Sequence, residues 1–215
     1  MLKVWGRRNS LNVQKVMWLV GELDLQHEHV SVGGPFGGLR DPGFGALNPN
    51  RLVPVIEDDG FVAWESHSIV RYLAARYGGE AWWPSDAAER TLSDRWMDWC
   101  LAHWQPAFLT GVFWGLYRTP EAQRDWVAIR RSVEQSAELM MIVEGQLSGR
   151  PFLTGERLAI GDIPVGASLF RYFAMDIERP WLPNVEAWYA RLTERPAYRE
   201  HVMVPFDDLK GRLAF

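Results

Sequence analysis

The stretch VPVIEDDGFVAWES, residues 53–66, constrains this chain more than any other. Two short apolar runs flank Asp58-Asp59-Gly60, and that order of residues is the turn chemistry of a β-hairpin. A helix is expected directly behind it, from Ser66 to Tyr77, with Ile69, Val70, Leu73 and Tyr77 facing inward. Upstream, LKVWG reads as a strand ending at Gly6. Val13, Val16, Met17, Val20 and Leu23 then mark one face of a helix that ends near Asp24. HEHVSV is a second short strand, and GGPFGG after it is a loop. The order is β-α-β, a connecting segment, then β-β-α, with the first pair of strands parallel and joined by a right-handed crossover.

After YGGEAWWPSDAAER the strand signals vanish. That Gly/Pro/polar stretch marks a boundary: a first domain over 1–78, a linker over 79–86 and a helical domain over 87–215. Helix-like segments run at 87–117, 121–147, 162–176 and 184–194, punctuated by Pro120, Gly149-Arg150-Pro151 and Pro180 to Pro183. The fold class is therefore α/β followed by all-α.

Charge and composition exclude several functions. The net charge of −4 gives no basic footprint for nucleic acid. Met1 leads straight into LKVWG, so no signal peptide is expected. No apolar run approaches the ~20 residues of a membrane span, and a cytoplasmic protein is expected. The lone Cys100 excludes an internal disulfide and a cysteine-cluster metal site. His27, His29, His67, His103 and His201 show no metal-ligand spacing, so no metal is expected. GGPFGG lacks the Lys-Ser of a phosphate loop.

The first helix begins in NSLN, residues 9–12. Ser and Asn are preferred N-caps, and Asn9, Ser10 or Asn12 could each serve. No capping box is completed from Ser10, because the third residue on is Val13. The same residues could equally aim a hydroxyl and an amide at a reactive group.

NPNRLVPVIEDDGFVAWESHSIVRYLAARYG resembles the glutathione-binding half of the cytosolic glutathione S-transferases: the Val-Pro entry to a strand, the hairpin, and Glu-Ser opening a helix. LAIGDIPVGASLFRY is similar to that family's buried helix in its second domain, and GGPFGG with NPN and VP looks most like bacterial theta-like and nu-like members. The resemblance implies a thioredoxin-like first domain over 1–78 and glutathione as co-substrate. It implies a cis Val53-Pro54 bond that leaves the Val53 main chain to pair with the peptide, with Glu65 facing its ammonium and Ser66, as helix cap, taking its γ-glutamyl carboxylate. Arg40 and Arg51 flank the loop over the glycyl end, where each either pairs with the terminal carboxylate or stays solvated. Leu52 stands where many relatives carry a polar or basic residue, with Arg51 one place earlier. The family's Ser/Thr-x-x-Asp cap of that buried helix is half missing, since Ala159 precedes Asp162.

By the same resemblance, Ser10-Leu11-Asn12 with Lys15 three residues on matches the nu-like Thr-x-Asn spacing. Ser10 is then the primary contact to the glutathione sulfur and Asn12 the second. A cleft lined by the second domain's first long helix should take a hydrophobic electrophile, with Phe108, Phe113, Trp114 and Tyr117 as its wall; that stripe at helical spacing also reads as core. A homodimer is implied, through helices 66–77 and 87–117. The leading activity is glutathione transfer; the alternatives are a glutathione-dependent disulfide reductase or peroxidase, and a non-catalytic ligand-binding protein.

Overall fold

In the computed structural model the hairpin forms as β3 (Val55–Asp58) and β4 (Phe61–Trp64), with Asp58 opposite Phe61. Asp59 at φ 49° and Gly60 at φ 90° supply the two left-handed residues of a two-residue primed turn. β1 (Leu2–Trp5) pairs antiparallel with β3 and parallel with β2 (His27–Val30), giving the sheet order β2-β1-β3-β4. Leu2 and Val4 are buried while Lys3 and Trp5 are partly exposed, the alternation of a strand with one covered face. The structure describes residues 1–213; residues 214 and 215 of the expected helical domain lie outside the described residues.

The crossover between β1 and β2 is α1 (Leu11–Glu22), buried from Leu11 to Val20 with Asn12 alone left partly open. A helix buried nearly all round needs neighbours on more than one side. Its helical neighbours are α3 (Ser66–Tyr77) and α9 (Pro196–His201). Trp18 meets Tyr198 edge-on at 4.9 Å between ring centroids. The connecting segment carries the short α2 (Pro42–Leu47). Val32, Phe44 and Val55 seat it on the sheet, with Trp5, Leu39, Leu47 and Val53 packed around them. A further turn of helix, α4 (Gly79–Trp82), follows α3.

At the hairpin, buried Asp58 accepts hydrogen bonds from the hydroxyls of Tyr72 (2.8 Å) and Tyr77 (2.7 Å), tying α3 to β3. Burial and the Asp58 carboxylate push the Tyr72 phenol up to about 12. Tyr77, expected inward, has 39% of its surface exposed; its hydroxyl, rather than its ring, is what is anchored.

The helical unit begins with α5 (Ala87–Trp99), which continues unbroken through Cys100–Arg118 in a wider winding closed by the Thr119 N–H to Trp114 carbonyl bond. Pro120 and a short turn at Glu121–Gln123 delay the next helix, so α6 spans Trp126–Gln146 rather than starting at 121. Asp125 caps it by accepting from the N–H groups of Val127 and Ala128, each at 3.0 Å. α7 (Ile163–Ala174) is buried from Ile163 to Leu169, and α8 (Pro183–Thr193) docks its first N–H groups on the buried Glu144 carboxylate of α6. Asp162 lies ahead of α7 with its carboxylate accepting from the N–H groups of Leu153 (2.8 Å) and Ala159 (3.0 Å). The Ala159 bond is the half of the cap motif that needs no side chain at 159. Burial pushes the Asp162 carboxyl up to about 7 against those two bonds.

By packing, residues 1–86 and 196–204 make one compact unit, and 87–195 with 205–213 make the other. Helix α9 was not expected, and it joins the first unit although it directly follows α8 of the helical unit. Six residues are too few for a 3.6-residue period to stand out. Among the described residues no helix is long and apolar enough to cross a membrane, and no group of three or more His, Cys, Asp or Glu side chains is placed to hold a metal ion.

Candidate functional site at the start of helix α1

Ser10 occupies the N-cap position of α1 with extended backbone (φ −85°, ψ 123°), the conformation a cap requires. Its side chain nevertheless makes no capping hydrogen bond. The hydroxyl lies largely buried, at the positive end of a helix whose first turn carries no acidic residue. Asn12, the second residue of α1, is partly open, and its Oδ1 accepts from the Lys15 ammonium at 3.0 Å. Its two N–H donors therefore point away from Lys15. A hydroxyl, an amide donor and a helix terminus are thus gathered where an anion is stabilised.

The loop before α1 is pinned to residue 53. Gly6 at φ 149° lies so close that an added Cβ would stand 2.4 Å from Val13 Cγ2 and 3.2 Å from Val53 Cβ. That approach needs a glycine, and it brings Val53 beside the end of β1. The Val53-Pro54 peptide is cis, and Val53 precedes β3 without joining its ladder. Among the described residues no hydrogen bond engages the Val53 main chain, so an incoming extended peptide finds both groups open.

Asn48 holds this loop. It is buried, donates from Nδ2 to the Leu52 carbonyl (2.9 Å), and accepts the Asn50 N–H at Oδ1 (2.9 Å). The role of Asn48 is visible in NPN only as turn chemistry. Leu52 itself is 60% exposed, so it offers an apolar surface where a polar grip was looked for. Arg51, at φ 54°, folds back to donate from Nη1 to the carbonyls of Leu39 (3.0 Å) and Asp41 (3.3 Å), bracing the segment ahead of α2. Arg40 is exposed.

Glu65 stands at φ 68° as the residue ahead of α3, with its side chain exposed. Ser66 is the first residue within the helix, so the expectation of Ser66 as the cap is corrected to Glu65 in that position. The reason is the left-handed backbone at Glu65, which starts the helix one residue later. Ser66 stays in the helix's first turn, where N–H groups lack intrahelical partners.

In the helical unit a cavity of ≈ 560 Å³ is walled by Tyr117, Phe170 and Phe206, with Arg124, Lys210, Asp176 and Asp207 among its charged lining. Burial, with Asp207 and Asp208, pushes the Tyr117 phenol above its ordinary value. The four residues of the expected wall fall in different surroundings. Phe108 is fully buried and stacked on Trp104 at 4.8 Å, and Phe113 is buried against Tyr117 and Phe206. Both belong to the core, as aromatic side chains at helical spacing usually do. Trp114 is partly exposed and carries the Arg118 guanidinium on its face at 3.9 Å. Of the four, Tyr117 lines the cavity.

Fold and site together define the class: a thioredoxin-like unit with a donor-rich helix start, followed by a helical unit. The N-terminal domain of glutathione S-transferases matches residues 5–81, and their C-terminal domain matches 107–196. Glutathione S-transferase GstB of Escherichia coli K12 is 39% identical over 207 residues, covering 95% of this chain and 99% of that one. The theta class glutathione S-transferase of Xanthomonas axonopodis pv. citri, solved with glutathione bound, is 48% identical with a TM-score of 0.90, over 95% of this chain and 98% of its own. A glutathione S-transferase structure from Pseudomonas fluorescens is 29% identical with a TM-score of 0.80, over 95% and 98%. The chain belongs to the glutathione S-transferase family.

Proposed function

We propose that this chain binds glutathione across its first unit and directs the thiolate at a hydrophobic electrophile. The carrying observation is Ser10: it holds the cap position of α1 while its hydroxyl makes no cap bond, leaving the O–H to donate to sulfur. A free thiol titrates near ~8.5, and only the thiolate attacks. Donors from Ser10 and Asn12, together with the helix terminus, favour the charged form and lower that value. The tripeptide main chain pairs with Val53 ahead of Pro54. Its γ-glutamyl carboxylate meets the first turn of α3 at Ser66, and its ammonium meets Glu65. Arg40 is the cation available to the glycyl carboxylate. Arg51 acts at one remove, through the loop it braces, and Leu52 contributes contact without charge.

The electrophile is expected against Tyr117, where an aromatic wall with charged residues beside it suits an apolar body bearing a polar substituent. In the reaction the thiolate sulfur forms a bond to the electrophilic carbon as the leaving group departs with the bonding pair. The reading includes a cytoplasmic homodimer. Exposed Phe61 and Trp64 on edge strand β4, and exposed Leu92 and Leu101 in the helical unit, supply apolar surface for it.

A crystal soaked with glutathione tests the reading. The expected result is sulfur within hydrogen-bond reach of Ser10 Oγ or Asn12 Nδ2, with the peptide paired to the Val53 main chain. Glutathione bound elsewhere, or no heat of binding in calorimetry, would overturn it.

A further inference from the structure

Lys15 is an anomaly in α1. It lies between the buried Gln14 and Val16 with 1% of its surface exposed, in the interior of an otherwise mostly apolar buried run. Burying an ammonium is costly unless it is paired and hydrogen-bonded. Its Nζ lies 3.0 Å from Asn12 Oδ1 and 3.0 Å from Nε2 of His67, itself 2% exposed. His67 follows Ser66 directly, in the first turn of α3. One buried cation therefore joins the two helix starts that flank the proposed glutathione site.

We infer that Lys15 is a positioning residue for Asn12, with His67 holding Lys15 in turn. The inference rests on the proposed contact of Asn12 with sulfur. An ammonium only donates, so it fixes the side-chain carbonyl of Asn12 toward itself and leaves the NH2 group turned outward. Flipping the amide would set donor against donor and bring an acceptor oxygen to face a thiolate. The positive charge behind Oδ1 also polarises the amide and strengthens its N–H as a donor to an anion. His67 completes the arrangement as an acceptor at Nε2, which makes it the neutral tautomer with hydrogen on Nδ1. Lys15 touches no reacting atom; it acts through Asn12.

The test compares Lys15→Met, Asn12→Ala and the double variant. Thiolate absorbance of bound glutathione and separate kcat and KM values are the readouts. Lys15→Met keeps the side-chain volume and removes the charge. It should move the thiol's midpoint upward by about one pH unit, a tenfold loss of thiolate at a pH below the midpoint. It should also lower kcat by about tenfold while KM for glutathione moves far less, a split that a merely structural role does not give. If Lys15 works through Asn12, the double variant is no worse than Asn12→Ala. Lys15→Gln, which keeps a neutral donor, should recover part of the loss. An unchanged thiol midpoint in Lys15→Met, beside a raised one in Asn12→Ala, overturns the inference alone. An unchanged midpoint in Asn12→Ala overturns the sulfur contact beneath it. Should Lys15→Met not fold, Lys15→Gln and His67→Gln carry the same comparison.

Discussion

At Ser10 two uses of one hydroxyl compete. A helix cap uses the oxygen as an acceptor for main-chain N–H, whereas a thiolate needs the O–H as a donor. Because no cap bond is made, Ser10→Ala should cost less than the ~1 kcal/mol typical of losing a serine cap. Turnover should fall by about 10²-fold, the lower end for removing one donor to a developing or standing negative charge. Urea titration beside steady-state kinetics checks both; a large stability loss with unchanged turnover would show Ser10 to be a cap and nothing more. Ser10 and Asn12 were legible in the sequence because cap-forming residue types stand directly before an apolar-periodic run. The partner of Lys15 was not, since His67 is 52 positions away and no local pattern spans that distance. The carbonyl partners of Arg51 were not legible for a related reason: they belong to a loop whose path only the fold reveals.

At the scale of elements, α1 is sandwiched, and its fit to α9 is tight at Gly21. A Cβ there would stand 2.9 Å from both Ala197 Cβ and His201 Cδ2. Alanine gains about 1 kcal/mol of helix propensity over glycine, but overpacking typically costs about 1–3 kcal/mol. Gly21→Ala should therefore lower the thermal midpoint, and a rise would mean that α9 yields freely. The same contact carries a pH dependence. Burial holds His201 and His29 below the ordinary 6.5, opposed by Glu200 for one and by the Gly6 carbonyl for the other. Both are favoured neutral in the fold, so the unfolded chain takes up protons first as pH falls through 6.5, and stability declines. Asp162, raised to about 7, acts in the opposite sense over that range, because the fold holds its proton more tightly than the unfolded chain does. The histidine effect is therefore read as the stability of wild type minus that of His201→Gln, which should shrink between about pH 7.5 and about pH 5.5. A difference that stays constant would contradict the burial argument. Strands and long helices were legible by period; α9 and the delayed start of α6 were not, because one is too short and the other is set by capping at Asp125.

For the molecule as a whole, the change from alternating strands and helices to helices alone marks where one grammar ends. It does not mark where one packed unit ends, since residues 196–204 return to the first unit. Sequence order is local, while a unit is defined by which apolar faces meet, here Trp18 of α1 and Tyr198 of α9. The half proposed to bind glutathione was more legible than the proposed electrophile wall for the same reason. Val53-Pro54 and Glu65-Ser66 are contiguous motifs with backbone chemistry of their own, whereas Phe108, Phe113, Trp114 and Tyr117 differ only in which way a helix turns them. The role proposed for the start of α1 is to convert bound glutathione to thiolate. It is tested most directly by the thiolate absorbance of the wild-type complex as a function of pH. The expected midpoint lies at least one unit below the ~8.5 of a free thiol and is displaced upward in Ser10→Ala and in Asn12→Ala. A midpoint for the bound thiol that equals the free one would contradict it.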